Sequence, residues 1–176
     1  MNRDDFMLRA GLIVESVIEM CAKRGIILLA AQTDHVCYRV KDAERYTEVK
    51  AFLEGFATLV QETPFGGRAV ATFRLHVPVA LDHGCAKLHL VELATYKPDS
   101  KPNEGFEHVE FLTLVPLSVF MEEHANKVDF SATNLEKKLN PTLSMLLDDG
   151  LTAKFHRIPL DEIIRLEQAL GIKPGT

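Results

Sequence analysis

The sequence predicts an α+β protein built from two tandem βαβββ modules, with an added N-terminal helix and a C-terminal helix. Two observations carry this prediction. Each half of the chain shows the order strand, helix and three strands, and each half opens its first strand with an acid–His–Val triplet, DHV at 34–36 and EHV at 107–109. The triplets lie about one module length apart, so a tandem repeat accounts for them most simply.

The first half contains a helix followed by the first module. Apolar residues recur at helical spacing over 3–23, and the stretch 33–40 alternates as a strand does. Helical spacing returns over 42–59. Three extended runs follow, with the turn PFGG between the first two, at 59–63, 69–77 and 87–94.

The second half repeats this order. A strand over 107–115 is followed by a helix over 116–126 that begins at a proline, and by a short strand at 128–130. Two further strands then flank an Asp-Asp-Gly turn, within 141–150 and 151–159. The pattern over 159–172, with acids early and Gly171 near its end, predicts a closing amphipathic helix.

These elements predict a single domain over residues 1–176. Its parts are an N-terminal helical extension at 1–30, the first module at 31–97, a polar linker at 98–105, and the second module with the C-terminal helix at 106–176. The linker is indicated by its content of Pro and Gly.

Composition excludes several classes of protein. Hydrophobic residues make up 47% of the chain, which is enough to bury a sizeable core. The net charge is −5 and no basic face is apparent, which argues against nucleic-acid binding. No secretory signal is recognisable, and no run approaches the ~18 apolar residues of a membrane span. Three cysteines without CxxC spacing indicate a reduced compartment, so we expect a cytoplasmic protein.

Polar residues cluster on one face of the predicted strands. Because side chains alternate along a strand, residue parity separates this face from the apolar core. The chemically notable residues on it are His35, Arg39, Arg74, His76, Glu92, His108, Glu110, Lys154 and His156. If both sheets enclose one groove, His35, Glu92, His108 and His156 converge there. Such ligands suit zinc, iron, nickel or manganese. Neutral imidazole and ionised carboxylate are the forms present near neutral pH, so metal binding is expected to need little proton release.

A purely structural role is also open to each of these residues. A lone strand histidine is more often hydrogen-bonded or at the surface than a metal ligand. Glu92 lies in the apolar run LHLVELA, where a carboxylate needs a partner. Arg39 or Arg74 would supply that partner in an ion pair that serves the fold alone.

The motifs TDHVCYRV, FRLHVPV, LVEL, NEGFEHVEFL, LNPTLSM and AKFHRIPLDEI, spread over residues 33–163, resemble a known group. They are similar to the vicinal oxygen chelate superfamily, which includes glyoxalase I, extradiol dioxygenases and methylmalonyl-CoA epimerase. More closely, they resemble the YecM-like proteins, a bacterial branch of it. The resemblance implies curved sheets that form an open, barrel-like groove with a divalent metal ion.

By position, the resemblance implies His35, Glu92 and His108 as metal ligands. The fourth ligand of the superfamily is usually Glu, and here AKFHRIP offers His156 instead. This departure removes the glutamate that serves many relatives as catalytic base. Glu110, two residues beyond His108 on the same face, is the candidate to replace it.

The cations on the shared face favour an anionic substrate. Arg39, Arg74 and Lys154 suit a carboxylate or phosphate, with His76 as a further substrate contact. The first hypothesis is therefore a metal-dependent isomerase or lyase that removes a proton beside a carbonyl of a small oxygenated anion.

Three alternatives stay open: a non-heme iron oxygenase, a non-catalytic metal- or ligand-binding protein of the same fold, and a structural domain with no site. Because two modules in one chain make a complete groove, we expect a monomer, with a dimer as the alternative.

Overall fold

The computed structural model describes residues 1–65, 67–96 and 104–172. Four α-helices occur in these ranges: α1 (Arg3–Lys23), α2 (Ala43–Glu54), α3 (Leu117–His124) and α4 (Leu160–Leu170). The strands of the first half are β1 (Thr33–Val40), β2 (Ala57–Phe65), β3 (Arg68–Leu81) and β4 (Ala86–Thr95). Those of the second half are β5 (Gly105–Leu112), β6 (Ser131–Asn134), β7 (Thr142–Leu146) and β8 (Thr152–His156).

The eight strands form one curled, open sheet in the order β2-β3-β4-β1-β5-β8-β7-β6. In each half the first strand pairs parallel with the last, β1 with β4 and β5 with β8. The halves meet where β1 pairs antiparallel with β5. Read outward from the β1–β5 pair, the strands of each module follow in the order first, fourth, third and second. The predicted α+β class with two βαβββ modules is confirmed.

Strand β1 lies at the centre and is buried along its whole length. Val36, Tyr38 and Val40 belong to the hydrophobic core on its helix-covered face. The alternate residues lie on the opposite face, where His35 borders the groove. A strand that is covered on both faces can hold polar side chains only if they are paired. The polar face of β1 is therefore the candidate functional face of the sheet.

Helix α1 connects the two modules. Its N-terminus is capped by the Asn2 side chain, which accepts from the Asp4 amide at 2.9 Å. Phe6, 2% exposed, lies with its ring centroid 5.3 Å from that of Tyr38 in β1 and 5.1 Å from that of Phe106 in β5. In the described part of the chain, no helix has both the length and the apolar character needed to cross a membrane.

Several helices and strands begin or end at residues other than those predicted. Helix α2 ends at Glu54, not 59, because Gly55 closes it and Ala57 already pairs with Leu75 in β3. Phe56 lies outside the helix but is buried. Its apolar side chain made the helical spacing in the sequence appear to continue beyond Glu54. The short strand expected at 128–130 forms instead over β6. Residues 98–103 of the expected linker lie outside the described residues.

Replacing Phe6 by Ala is expected to destabilise the whole fold. The substitution removes a ring buried between both modules, and such losses cost about 3–5 kcal/mol of unfolding free energy. Urea unfolding followed by circular dichroism measures this change. Leu8→Ala on the same helix, where Leu8 is 61% exposed, is the control and should cost little. Equal effects of the two substitutions would contradict the packing described for α1.

The three cysteines should differ sharply in reactivity. Cys21 and Cys37 are buried and Cys85 is exposed. Burial raises the pKa of the Cys21 thiol to about 12, against a smaller opposing effect of Arg24, so its thiolate is scarce at neutral pH. We expect a thiol reagent such as DTNB to modify one cysteine promptly in the native protein and three after denaturation. Prompt labelling of Cys21, located by peptide mass spectrometry, would overturn this assignment.

Candidate metal centre

The register between β1 and β5 brings the two halves of the site together. His35 in β1 lies opposite Glu110 in β5, and residues paired in this way project from the same face. His108 shares that face two residues earlier. Strand β8 lies beside β5 and places Lys154 next to Glu110, with His156 two residues further on. One local pairing therefore gathers imidazole, carboxylate and ammonium groups on the groove side of the sheet.

Glu110 is at the centre of this group. The His108 Nε2 atom lies 3.1 Å and the His35 Nε2 atom 3.5 Å from Glu110 Oε1. The His156 Nε2 atom lies 3.7 Å from Glu110 Oε2. All four residues are buried. The ligand-type atoms of His35, His108 and Glu110 all lie within 4.8 Å of one another, a spacing that a single metal ion can span.

The Nδ1 hydrogen bonds of two histidines orient their Nε2 atoms. His35 Nδ1 lies 2.8 Å from Asp34 Oδ2, and His156 Nδ1 lies 2.8 Å from the Ile158 carbonyl oxygen. Since a carbonyl only accepts, Nδ1 of His156 carries a proton. The Nε2 atoms of His35 and His156 are buried without a hydrogen-bond partner in the described structure. Buried imidazole nitrogens of this kind, held through Nδ1, fit the donor set of a divalent metal.

The buried charges balance one another. Burial disfavours a charge on His35, but Glu110 and Asp34 outweigh it and raise the pKa of His35 to about 10. Burial would raise the pKa of Glu110, but Lys154 and His35 hold it well below its usual range. An ion bound to His35 would therefore have to replace a proton. This corrects the expectation that metal binding needs little proton release.

Asp34 is a site residue that sequence reasoning missed. Its Oδ2 atom accepts from His35 and also from the Leu160 amide at 3.1 Å, at the first residue of α4. The same oxygen lies 3.5 Å from His156 Nε2. Asp34 thus holds one imidazole in place and ties the C-terminal helix to the central strand. The sequence signal that could have identified Asp34 is the acid directly before the histidine of each triplet, Asp34 before His35 and Glu107 before His108.

The acid of the second triplet has a different role. Glu107 accepts a hydrogen bond from Arg39, which also donates to the Thr95 carbonyl at 3.2 Å. Glu107 Oε2 lies 3.8 Å from His108 Nδ1, too far for a hydrogen bond. Arg39, predicted as a substrate contact, therefore pairs with Glu107 and does not border the cavity at the site.

That cavity has a volume of about 150 Å³ and opens beside the cluster. His35, Glu92, Glu110 and Lys154 line it. Glu92 is only partly buried. Burial would raise its pKa, but His108, His35 and Lys154 lower it, so the carboxylate is charged. Among the described residues, the groups of ligand-type atoms within 4.8 Å of one another do not include Glu92.

Lys154 contacts two members of the cluster directly. Its ammonium nitrogen lies 2.9 Å from Glu110 Oε1 and 2.9 Å from His108 Nε2. It also lines the cavity, and its role as a substrate contact stays a prediction.

The other predicted substrate contacts lie elsewhere. Arg74 pairs with Asp161 at 2.8 Å at the surface, and the exposed His76 lies 3.1 Å from the Thr58 hydroxyl. Neither borders the cavity. Arg68, which does, has a buried Nε atom with no hydrogen-bond partner in the described structure. Arg68 lies an even number of residues from Arg74 on β3, so both project from the same face. The alternation argument that selected Arg74 could therefore also have selected Arg68.

Comparison with known proteins places the chain in a family. A family model described as YecM protein matches residues 11–167. The chain belongs to the YecM family. Protein YecM of Escherichia coli (strain K12) is 27% identical, and the alignment covers 89% of each chain.

Solved structures agree on the fold. A structural-genomics structure, Protein EC4020, has a TM-score of 0.73 at 23% identity, over 94% of this chain and 92% of that one. Methylmalonyl-CoA epimerase in complex with methylmalonyl-CoA and NH4+ has a TM-score of 0.50 at 14% identity, over 74% and 96%. The family match confirms the resemblance to the YecM-like proteins expected from the sequence, and the structural likeness shows a fold shared with methylmalonyl-CoA epimerase.

Replacing Asp34 by Ala is expected to loosen α4. The Leu160 amide loses its acceptor and His35 loses its Nδ1 partner, at a cost of about 1–3 kcal/mol. Hydrogen exchange by mass spectrometry should show faster exchange in peptides that cover the first turn of α4. Glu162→Ala, an exposed acid in the same turn, is the matched control. Unchanged exchange in the Asp34 variant would refute the role given to this carboxylate.

Proposed function

We propose that this protein binds one divalent metal ion through His35, His108 and Glu110, with His156 beside them. The ion then holds a small anionic, oxygen-bearing substrate in the groove. The observation that carries the proposal is the convergence of three imidazole Nε2 atoms within 3.7 Å of one buried carboxylate. Zinc, iron, nickel and manganese suit such ligands. The groove lies within a single chain, which supports a monomer as the working unit.

The cavity supports a small, charged substrate. Its volume of about 150 Å³ is below the ~300 Å³ at which pockets for drug-sized ligands begin. Lys154 and Arg68 in its wall supply positive charge for a carboxylate or phosphate. A divalent ion at the site would stabilise the negative charge that develops on a substrate oxygen. This combination favours an isomerase- or lyase-type reaction.

The two glutamates of the site take different roles in this proposal. Glu110 contacts three imidazoles and Lys154, which favours a ligand role over the role of base assigned from the sequence. Glu92 lines the cavity outside the closest ligand group. Glu92 would therefore accept the substrate proton.

One observation favours a second candidate function, binding without turnover. The pKa values of Glu92 and Glu110 are both lowered, and a carboxylate of low pKa is a weak proton acceptor near neutral pH. Deuterium uptake from solvent into small 2-oxo and 2-hydroxy acids, followed by NMR with metal-loaded protein, separates the candidates. Exchange that is lost in Glu92→Gln supports the enzyme, and tight binding without exchange supports the binding protein.

Metal content is the primary test. We expect near-stoichiometric zinc, iron, nickel or manganese by inductively coupled plasma mass spectrometry, on protein purified without a His tag. His35→Ala and Glu110→Ala each remove a ligand and should reduce occupancy at least tenfold. Glu92→Ala should retain the ion because Glu92 lies outside the closest ligand group.

His89→Ala is the matched control, since His89 is an exposed histidine on β4 and should not affect metal content. Absence of metal from the parent protein, even after each candidate ion is added, would refute the proposal. Loss of metal in Glu92→Ala equal to that in Glu110→Ala would instead return Glu92 to the ligand set.

A further inference from the structure

The ammonium of Lys154 occupies an unusual position for a lysine. It donates to Glu110 Oε1 and to His108 Nε2, both at 2.9 Å, and both atoms belong to the closest group of potential metal ligands. The Lys154 side chain is 24% exposed, whereas that of His108 is fully buried. The lysine therefore reaches into the cluster from the cavity side.

The symmetry of the two modules explains how the lysine comes to be there. In the first module His35 pairs with Leu90, and Glu92 follows two residues later in β4. In the second, His108 pairs with Thr152, and Lys154 follows two residues later in β8. Lys154 is therefore the structural counterpart of Glu92. A cation stands in one module where the other has a carboxylate, and His156 lies one pleat further along β8.

The contact with His108 has a chemical consequence. A neutral imidazole has one lone pair on its unprotonated nitrogen, and that lone pair accepts one hydrogen bond or binds one metal ion. While Lys154 donates to His108 Nε2, this nitrogen cannot serve as a ligand. The ammonium also places a positive charge beside the Glu110 oxygen that an ion would use.

We propose that Lys154 is a tethered cation that holds the metal-free site together and must leave it when a metal ion binds. This inference rests on the proposed function, because it concerns the same ligands. The exposed part of the side chain borders the cavity, and its flexible stem allows the ammonium to turn toward that space. There it would meet the anionic group of a substrate, so that ion binding and substrate binding favour each other.

The first test compares metal affinities of Lys154→Met and Lys137→Met. Both substitutions remove one positive charge from the same cavity wall, but the described contacts with His108 and Glu110 belong to Lys154. Titration with Zn²⁺ and Mn²⁺ against a competing chelator should show binding at least about tenfold tighter in Lys154→Met than in the parent. Lys137→Met should remain within about threefold of the parent.

Each outcome has a defined meaning. Metal binding by Lys154→Met where the parent binds none would show that the lysine excludes the ion and does not leave, which overturns both this inference and the proposed function. Equal affinity of Lys154→Met and the parent would overturn it while leaving the proposed metal site intact. If neither protein binds metal, the proposed function fails and this inference fails with it.

A second measurement uses the unmodified protein, in case Lys154→Met does not fold. Amine labelling with acetic anhydride, located by peptide mass spectrometry, reports how accessible each lysine is. With saturating Zn²⁺, labelling of Lys154 should rise severalfold while labelling of exposed Lys87 is unchanged. Labelling of Lys154 that stays constant or falls in a metal-bound protein would show that the ammonium does not leave, and would refute the proposal.

Discussion

The antiparallel pairing of β1 with β5 is the interaction on which the rest of the structure depends. Among the described strands it is the pair that joins the two modules, and it sets His35 opposite Glu110. A slip of one residue would turn every side chain of one strand to the other face and would separate these groups. Helix α1 packs Phe6 against aromatic rings of both strands and so reinforces the same junction. Fold and candidate site are therefore determined by one register.

Charge pairing is the second constraint. An unpaired charge in a buried site costs several kcal/mol, so each ionised group in the cluster needs a partner of opposite sign. Two cationic groups, the imidazolium of His35 and the ammonium of Lys154, compensate Glu110 in the protein without metal. In the proposed metal-bound form His35 loses its proton and stays as a ligand, whereas Lys154 leaves the cluster. A divalent ion would then supply the positive charge that these two groups give up.

Much of this architecture could be predicted from the sequence because it is encoded locally. Strand parity placed His35, His108 and Glu110 on one face, and the repeated order of elements revealed the modules. The partners of Asp34, Arg39 and Lys154 could not be predicted. Asp34 and Arg39 contact residues of the other module, and Lys154 reaches from β8 to β5, so each partner depends on tertiary packing and on how far a side chain reaches. A repeat shows that two units exist, but it does not give the register of their shared edge.

The counterpart relation between Glu92 and Lys154 gives the groove a direction. The two modules share one strand order, so a position in β4 has a counterpart in β8. A carboxylate stands at one of the two counterpart positions and an ammonium at the other, so the lining of the groove is chemically asymmetric. Under the proposed function, a ligand with one anionic end would bind in a preferred orientation. Duplicated modules would thereby present different chemistry to the two ends of one ligand.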